Sequence, residues 1–245
     1  VRDGKLVYAK AYGDARLDPK TPATPAMRYS IGSISKEFTA AAILMLQQQG
    51  KLSLDDKIAK FFPALTDADH ITLRQILSHT SGYQDFWPQD YLMPPMKLAT
   101  TPAHIMDGWA KKPLDFAPGS QWQYSNTGYV IAGAIVQKLT GQTPFEFLQQ
   151  HVFPTLGVTD AYDTNLHALP ATDARGYSRN ALGPLRPSPK EGVNWMFGAG
   201  ELAMTASDLA KWDIAMIGQT LLQPASWRAM QTEVVLNNGL GSGYG

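Results

Sequence analysis

Ser33 and Lys36 stand three residues apart where the sequence turns helical. Positions three apart share one helix face, so the Lys36 amine can reach the Ser33 hydroxyl. A serine becomes a nucleophile beside a base, and a desolvated lysine of lowered pKa can be that base. A helix N-terminus also points backbone N–H groups at developing negative charge. With 13 serines and 13 lysines in the chain, about 0.7 such pairs arise by chance, so the pair alone also fits an N-cap serine and a solvated lysine. A second set is Tyr124-Ser125-Asn126, after the turn residues Pro118-Gly119. A phenol beside an ammonium can shuttle protons, and an asparagine amide can both donate to a substrate carbonyl and accept from a lysine. Asn126 could equally cap the helix that carries Ile131, Ile135 and Leu139. A third set, His79-Thr80-Ser81-Gly82, could hold a base, although polar side chains closing the end of the preceding helix are the plainer reading.

These residues need a frame. An apolar face of Ile34, Phe38, Ala41 and Met45 predicts a helix from Ser33 to Gln49, stopped by Gly50. Capping-box pairs predict further helix starts at Ser53 with Asp56, Thr72 with Gln75, Thr143 with Glu146, and Thr205 with Asp208, the last running to about Ile217. Asp3-Gly4 reads as a hairpin turn, and Leu6 to Tyr12 alternates like a strand. Val1 and Arg2 would be the tail of a preceding strand. Val234 to Leu236 and Gly239 to Gly245 read as a turn leading into a strand that does not follow. Asp85 to Thr101 and Ala168 to Asn194 are rich in proline, glycine and aromatics, as cleft-lining segments often are. Tyr83, Phe86, Trp87, Tyr91, Trp195 and Phe197 could rim an apolar pocket or fill a core; Trp195 and Tyr83 are the substrate-binding candidates among them.

Composition removes several classes. Lys plus Arg equals Asp plus Glu at 21 each in 245 residues, and no basic stripe is visible, which argues against a nucleic-acid partner. The absence of cysteine excludes disulfides and thiolate metal sites and leaves the compartment open. His70, His79, His104, His151 and His167 form no His-x-His or His-Glu-x-x-His pair, so metal hydrolysis has no motif. No Gly-x-Ser-x-Gly elbow is present. The longest apolar run, Phe38 to Leu46 with Thr39 inside it, is too short to span a bilayer. No signal peptide is visible, and a start at Val1 implies that an upstream segment was removed or omitted.

Tyr29 to Thr39, containing Ser33-Ile34-Ser35-Lys36, resembles the nucleophile segment of the serine β-lactamase and penicillin-binding protein superfamily. Ala117-Pro118-Gly119 through Tyr124-Ser125-Asn126-Thr127-Gly128-Tyr129 resembles its second motif. Leu77 to Gly82 and Gly198 to Trp212 are similar to further stretches, in the expected order over nearly the whole chain. A tyrosine in the second motif points to the branch with class C β-lactamases, D-stereospecific peptidases and related esterases. The resemblance implies an α/β (α+β) fold: an antiparallel sheet flanked by helices, built from residues 1–50 and 201–245, with a mainly helical insertion over 51–200. It implies a serine hydrolase in which Ser33 forms an acyl-enzyme, Lys36 and Tyr124 relay the proton, and Asn126 holds the substrate. Which of Lys36 and Tyr124 is the base stays open. No cofactor or metal is implied. The partner would be a small ester, amide, D-amino-acid peptide or β-lactam, in an extracytoplasmic or periplasmic setting. The superfamily's third motif, Lys-Thr-Gly or His-x-Gly, is absent after Tyr124, so the sheet is expected to be truncated at both ends, with late strands coming from another segment or chain; the alternative is a truncated homologue with an incomplete site. The competing expectation is a catalytically silent binding or scaffold homologue. The joint presence of Ser33, Lys36, Tyr124 and Asn126 disfavours it, because unused polar groups in a cleft drift toward apolar ones.

Overall fold

The computed structural model describes residues 1–89 and 91–245. Strands β1 (Asp14–Leu17) and β2 (Lys20–Pro22) form a short antiparallel pair, and β3 (Tyr29–Ser30) leads into a 3-10 turn at Gly32–Ile34 and helix α1 (Ser35–Gln48). The run Ala-Ala-Ala-Ile-Leu-Met-Leu favours helix, and Gly50, in the left-handed region at φ +70°, ends it. Ten of the fourteen residues of α1 are buried, Lys36 and Thr39 among them. A helix covered on nearly every side is the centre of a core rather than its lid.

Around it, α2 (Leu73–Leu77) starts at the Thr72–Gln75 capping box, α3 (Pro102–Ile105) at Thr101, and α4 (Asn126–Thr140) at Ser125. Helix α5 (Pro144–His151) starts at the Thr143–Glu146 capping box and is followed by α6 (Phe153–Leu156). Two-residue strands β4 (Tyr162–Asp163), β5 (Tyr177–Ser178) and β6 (Arg186–Pro187) precede β7 (Leu202–Met204), α7 (Ala206–Ile217) and α8 (Pro224–Gln231). Helix α1 packs on α4, α5 and α8. Its Phe38 ring lies 4.5 Å from Trp212 of α7 and 6.1 Å from Phe153, and Trp212 in turn lies 5.6 Å from Trp227 of α8.

The fold is the expected mixture of helices and antiparallel sheet, with small sheets. Strands β3, β7 and β4 pair in that order, with Tyr29 opposite Met204 and Tyr162 opposite Ala203. Strand β4 comes from the 51–200 stretch yet completes the sheet that holds the nucleophile turn. That turn is pinned twice: Ile31 N–H donates to the Leu202 carbonyl, and Leu202 N–H donates to Ser35 Oγ, both at 3.0 Å.

Two local expectations are corrected, the cap of the helix after Tyr124 is decided, and the turn near Gly245 is as expected. Leu6 to Tyr12 is not a strand: its alternation meets no partner among the described residues, so no ladder forms and Leu6, Val7, Tyr8 and Tyr12 stay exposed. Ser53 and Asp56 do exchange bonds, Ser53 N–H to Asp56 Oδ2 at 2.8 Å, but they close a turn rather than start a helix. Lys57 is extended there, bridged to Thr72, and that pairing wins over the local helix signal. The helix after Tyr124 is capped by Ser125, whose Oγ accepts from Gly128 N–H, which frees Asn126 for another task. Val234 to Tyr244 folds back on itself in a tight turn, Val234 N–H donating to the Tyr244 carbonyl at 2.9 Å and Leu236 N–H to Leu240 at 2.8 Å.

The turn 196–200 before β7 is wedged against α4. Gly198 has φ +66°, and a Cβ there would lie 2.7 Å from the Tyr129 carbonyl; Gly133 of α4 gives the turn room. Gly198→Ala is therefore expected to cost about 1–3 kcal/mol in backbone strain alone, read as a lower urea midpoint at unchanged slope. An unaltered midpoint would mean that the turn is not held in this conformation.

Candidate active site

Ser33 lies on the 3-10 turn and is exposed, while Lys36, in the first turn of α1, is 2% exposed. Lys36 Nζ is 3.1 Å from Ser33 Oγ, 2.8 Å from Asn126 Oδ1 and 2.7 Å from the Ala199 carbonyl. Burial pushes the Lys36 amine down to about 7, against the opposing pull of Asp85. From the other side of the cleft Tyr124 Oη donates to Ser33 Oγ at 2.5 Å. Burial pushes that phenol above its ordinary value; the Ser33 bond opposes the rise, and Tyr244 and Asp85 add to it. The structure thus brings together all four polar residues that sequence reasoning singled out, Ser33, Lys36, Tyr124 and Asn126. Ser33 is the second residue of its turn, a position whose N–H a helix start leaves without an intrahelical partner, available to a developing oxyanion.

The Asn126 amide is oriented from behind. Its backbone N–H donates to Asp85 Oδ1 at 3.0 Å and its Nδ2 to Asp85 Oδ2 at 3.2 Å. A carboxylate only accepts, so Nδ2 must face Asp85 and Oδ1 must face Lys36. Asp85 was not legible as a site residue, because nothing local in its segment marks it.

His79 is the other partner that sequence left undecided. It is buried with φ +61°, accepts Ser125 N–H on Nδ1 at 3.1 Å, and takes Gln123 N–H on its carbonyl at 3.0 Å. Its ring stacks on Tyr124 with centres 4.5 Å apart. Burial and then the Lys36 charge push the imidazole down to about 3, so it stays neutral and grips the Tyr124 segment from both ends. It makes no hydrogen bond to Ser33 and is not placed to be the base.

These groups face a cleft of about 600 Å³ lined also by Phe86, Trp87, Gln89, Trp195 and Met196. Trp195 reaches the cleft wall but is mostly buried, its Nε1–H donating to the Leu98 carbonyl at 2.7 Å. Tyr83 does not line the cleft: its ring is buried and its hydroxyl donates to the Thr66 carbonyl at 2.8 Å, which places it in the core. Phe197 is core as well, packed on Gly133, while Tyr91 is exposed. The cleft roof joins two irregular segments. Gly192 N–H donates to Met96, Thr100 N–H to Val193, and Asn194 Nδ2 to Thr100. A Cβ on Gly192 would collide with the Leu98 carbonyl, so only glycine permits this approach. A second cavity of about 350 Å³, lined by Glu37, Arg74, Met216 and Tyr244, does not reach Ser33.

The Beta-lactamase family model matches residues 1–245. Penicillin-binding protein 4* of Bacillus subtilis (strain 168) is 28% identical over 255 residues, covering 99% of this chain and 56% of that protein. The putative penicillin-binding protein PbpX of the same organism is 27% identical, over 95% of this chain and 57% of its own length. The chain thus spans little more than half the length of these curated relatives. Among solved structures, the D-amino acid amidase of Ochrobactrum anthropi SV3 complexed with L-phenylalanine amide is 29% identical with a TM-score of 0.82, covering 91% of this chain and 65% of that one. The octameric penicillin-binding protein homologue of Pyrococcus abyssi is 28% identical with a TM-score of 0.81, covering 100% and 58%.

Proposed function

As this chain belongs to the Beta-lactamase family, we propose that it is a serine hydrolase that forms an acyl-enzyme on Ser33, with Lys36 as the base and Tyr124 as the acid. The observation that carries the reading is the set of partners around Lys36. Asn126 Oδ1 and the Ala199 carbonyl only accept hydrogen bonds, and both lie within 2.8 Å of Nζ. A neutral amine has two N–H bonds to give. Both go to these acceptors, which leaves the lone pair toward Ser33. With its pKa lowered to about 7, that amine is free in much of the population at neutral pH. Tyr124, pushed the other way, keeps its proton to give.

In acylation the Ser33 proton moves to Lys36 Nζ as Oγ bonds to the substrate carbonyl carbon. The oxyanion faces the N–H at the start of the helix. Collapse breaks the bond to the leaving group, which takes the Tyr124 proton, and the Lys36 ammonium returns a proton to the phenolate. That ammonium, 4.8 Å from the Tyr124 ring centre, stabilises the phenolate meanwhile. Water then adds to the acyl carbon, losing its proton to the same pair of groups, and Ser33 leaves with a proton restored.

For substrate, we favour the amide or ester of an apolar amino acid with a free amine. Asp85 brings a carboxylate to the cleft wall. Among the described residues three donors occupy it, the Asn126 N–H, Asn126 Nδ2 and Trp87 N–H. A carboxylate offers about four acceptor sites, so one is left for an ammonium. Phe86, Trp87 and Met196 offer an apolar wall for the side chain. Similarity to a D-amino acid amidase solved with D-phenylalanine supports D-phenylalanine amide as the first substrate to try.

Incubation with a fluorophosphonate should add one phosphonyl group to the intact mass, lost in Ser33→Ala. The labelling rate should climb about tenfold per pH unit below the Lys36 pKa and level above it, since only the deprotonated amine works. A midpoint near that of an ordinary lysine, about 10, would remove Lys36 from the role of base. No labelling of the wild-type chain would remove the enzymatic reading.

A further inference from the structure

Glu201 takes no part in the chemistry above, yet it is fully buried. Its Oε2 accepts Gly198 N–H at 3.1 Å, and its Oε1 is buried without a partner among the described residues. A carboxyl group kept at such a cost calls for a reason. The turn just ahead of it supplies one. Ala199 and Gly200 N–H both close on the Met196 carbonyl, at 3.0 and 2.9 Å. The turn's own carbonyls face α1, Gly198 accepting from Thr39 Oγ1 at 2.8 Å and Ala199 from Lys36 Nζ at 2.7 Å. Gly198, in the left-handed region, gives its N–H to Glu201. Behind Glu201 the chain is fastened again, Thr164 donating from both N and Oγ1 to the Glu201 carbonyl at 2.8 and 2.9 Å.

We infer that Glu201 is a positioning residue for Lys36: its carboxyl holds Gly198 N–H and, through the Gly198–Ala199 turn, sets the Ala199 carbonyl against the Lys36 amine. The inference rests on the reading of Lys36 as base. Burial, with Asp163 nearby, pushes the Glu201 acid up to about 8, so at neutral pH it is mostly an uncharged acid whose carbonyl oxygen accepts from Gly198. Glutamine reproduces that acceptor at the same length without charge. Methionine fills the same space and offers no comparable acceptor.

The test measures kcat and KM for a p-nitrophenyl ester, and the pH midpoint of fluorophosphonate labelling, in the full chain with Glu201→Gln and Glu201→Met. Thermal melting confirms that each variant is folded, and Glu201→Ala replaces E201M if the latter does not fold. E201M is expected to lose at least about tenfold in kcat with KM within about twofold, as a misplaced catalytic group does, and its labelling midpoint should move away from that of the wild type. E201Q should stay within about threefold of wild type, because the acceptor is kept. An E201M with the wild-type kcat and midpoint overturns the inference, as does an E201Q as impaired as E201M. A wild-type chain that is not labelled at all overturns both the inference and the reading it rests on; one that is labelled while E201M is unchanged removes only the role of Glu201.

Discussion

Lys36→Met is expected to slow acylation of Ser33 by about 10²–10⁴-fold, the range in which a positioned base contributes. At about 1.4 kcal/mol per tenfold this is roughly 3–5 kcal/mol of lost barrier lowering. Methionine keeps most of the stem in the buried slot of α1 and removes only the amine. The Asn126 amide oxygen and the Ala199 carbonyl, both bonded to Nζ in the wild type, lose their donor. That should cost on the order of 1–3 kcal/mol of stability per unsatisfied buried acceptor, so the melting point should fall as well. Residual labelling should no longer rise with pH through about 7, because the group titrating there is gone. Stopped-flow acylation with a p-nitrophenyl ester across pH 5.5–9 reads both effects. A surviving inflection near pH 7 would mean that another group is the base.

Tyr124→Phe should separate substrates by leaving group. An amine cannot depart from a tetrahedral intermediate without a proton, so amide hydrolysis is expected to fall by about 10²–10⁴-fold. A p-nitrophenolate departs unaided, so release of nitrophenol in the acylation burst should fall far less. The phenylalanine ring keeps the stack on His79, whose centre lies 4.5 Å from the tyrosine ring, so the cleft should hold its shape. KM for the ester is then expected to be little changed. Equal losses on both substrates would assign Tyr124 to proton removal from Ser33 instead, a role its raised pKa makes poorly suited to neutral pH.

What could be read in advance followed from range. Ser33 and Lys36 sit three apart on a helical pattern, so spacing alone allowed their contact, which the structure has at 3.1 Å. Capping signals at Thr72, Thr143 and Thr205 are equally local, and each of these residues caps its helix. The approach of Tyr124 to Ser33 and of Asn126 to Lys36 was legible only through family resemblance, since about ninety residues intervene. Sequence could not reveal Asp85, the neutral state of His79, or the Ala199 carbonyl. The first two depend on burial and on tertiary partners, and a backbone carbonyl carries no side-chain signature at all. Pairing errors had the same origin. Leu6 to Tyr12 has the alternation of a strand, but alternation names no partner. The Ser53–Asp56 bond was anticipated, yet the chain beyond it follows a bridge between Lys57 and Thr72 that only the folded chain supplies. Tyr83, a substrate-binding candidate left open between cleft and core, is a core residue, because aromatic composition does not separate the two.

The burial of α1 sets the direction in which this catalyst can be altered. The helix carrying Lys36 also carries Phe38, packed on Trp212, so a volume change along it disturbs the core. The roof where Gly192 to Trp195 meets Met96 to Thr100 is held by two backbone bonds and by the Asn194 and Trp195 side chains, and Gly192 admits no Cβ there, so it too leaves little room for exchange. New substrate ranges are therefore most accessible to directed evolution through substitutions at Trp87, Gln89 and Met196, with the nucleophile helix left as it is.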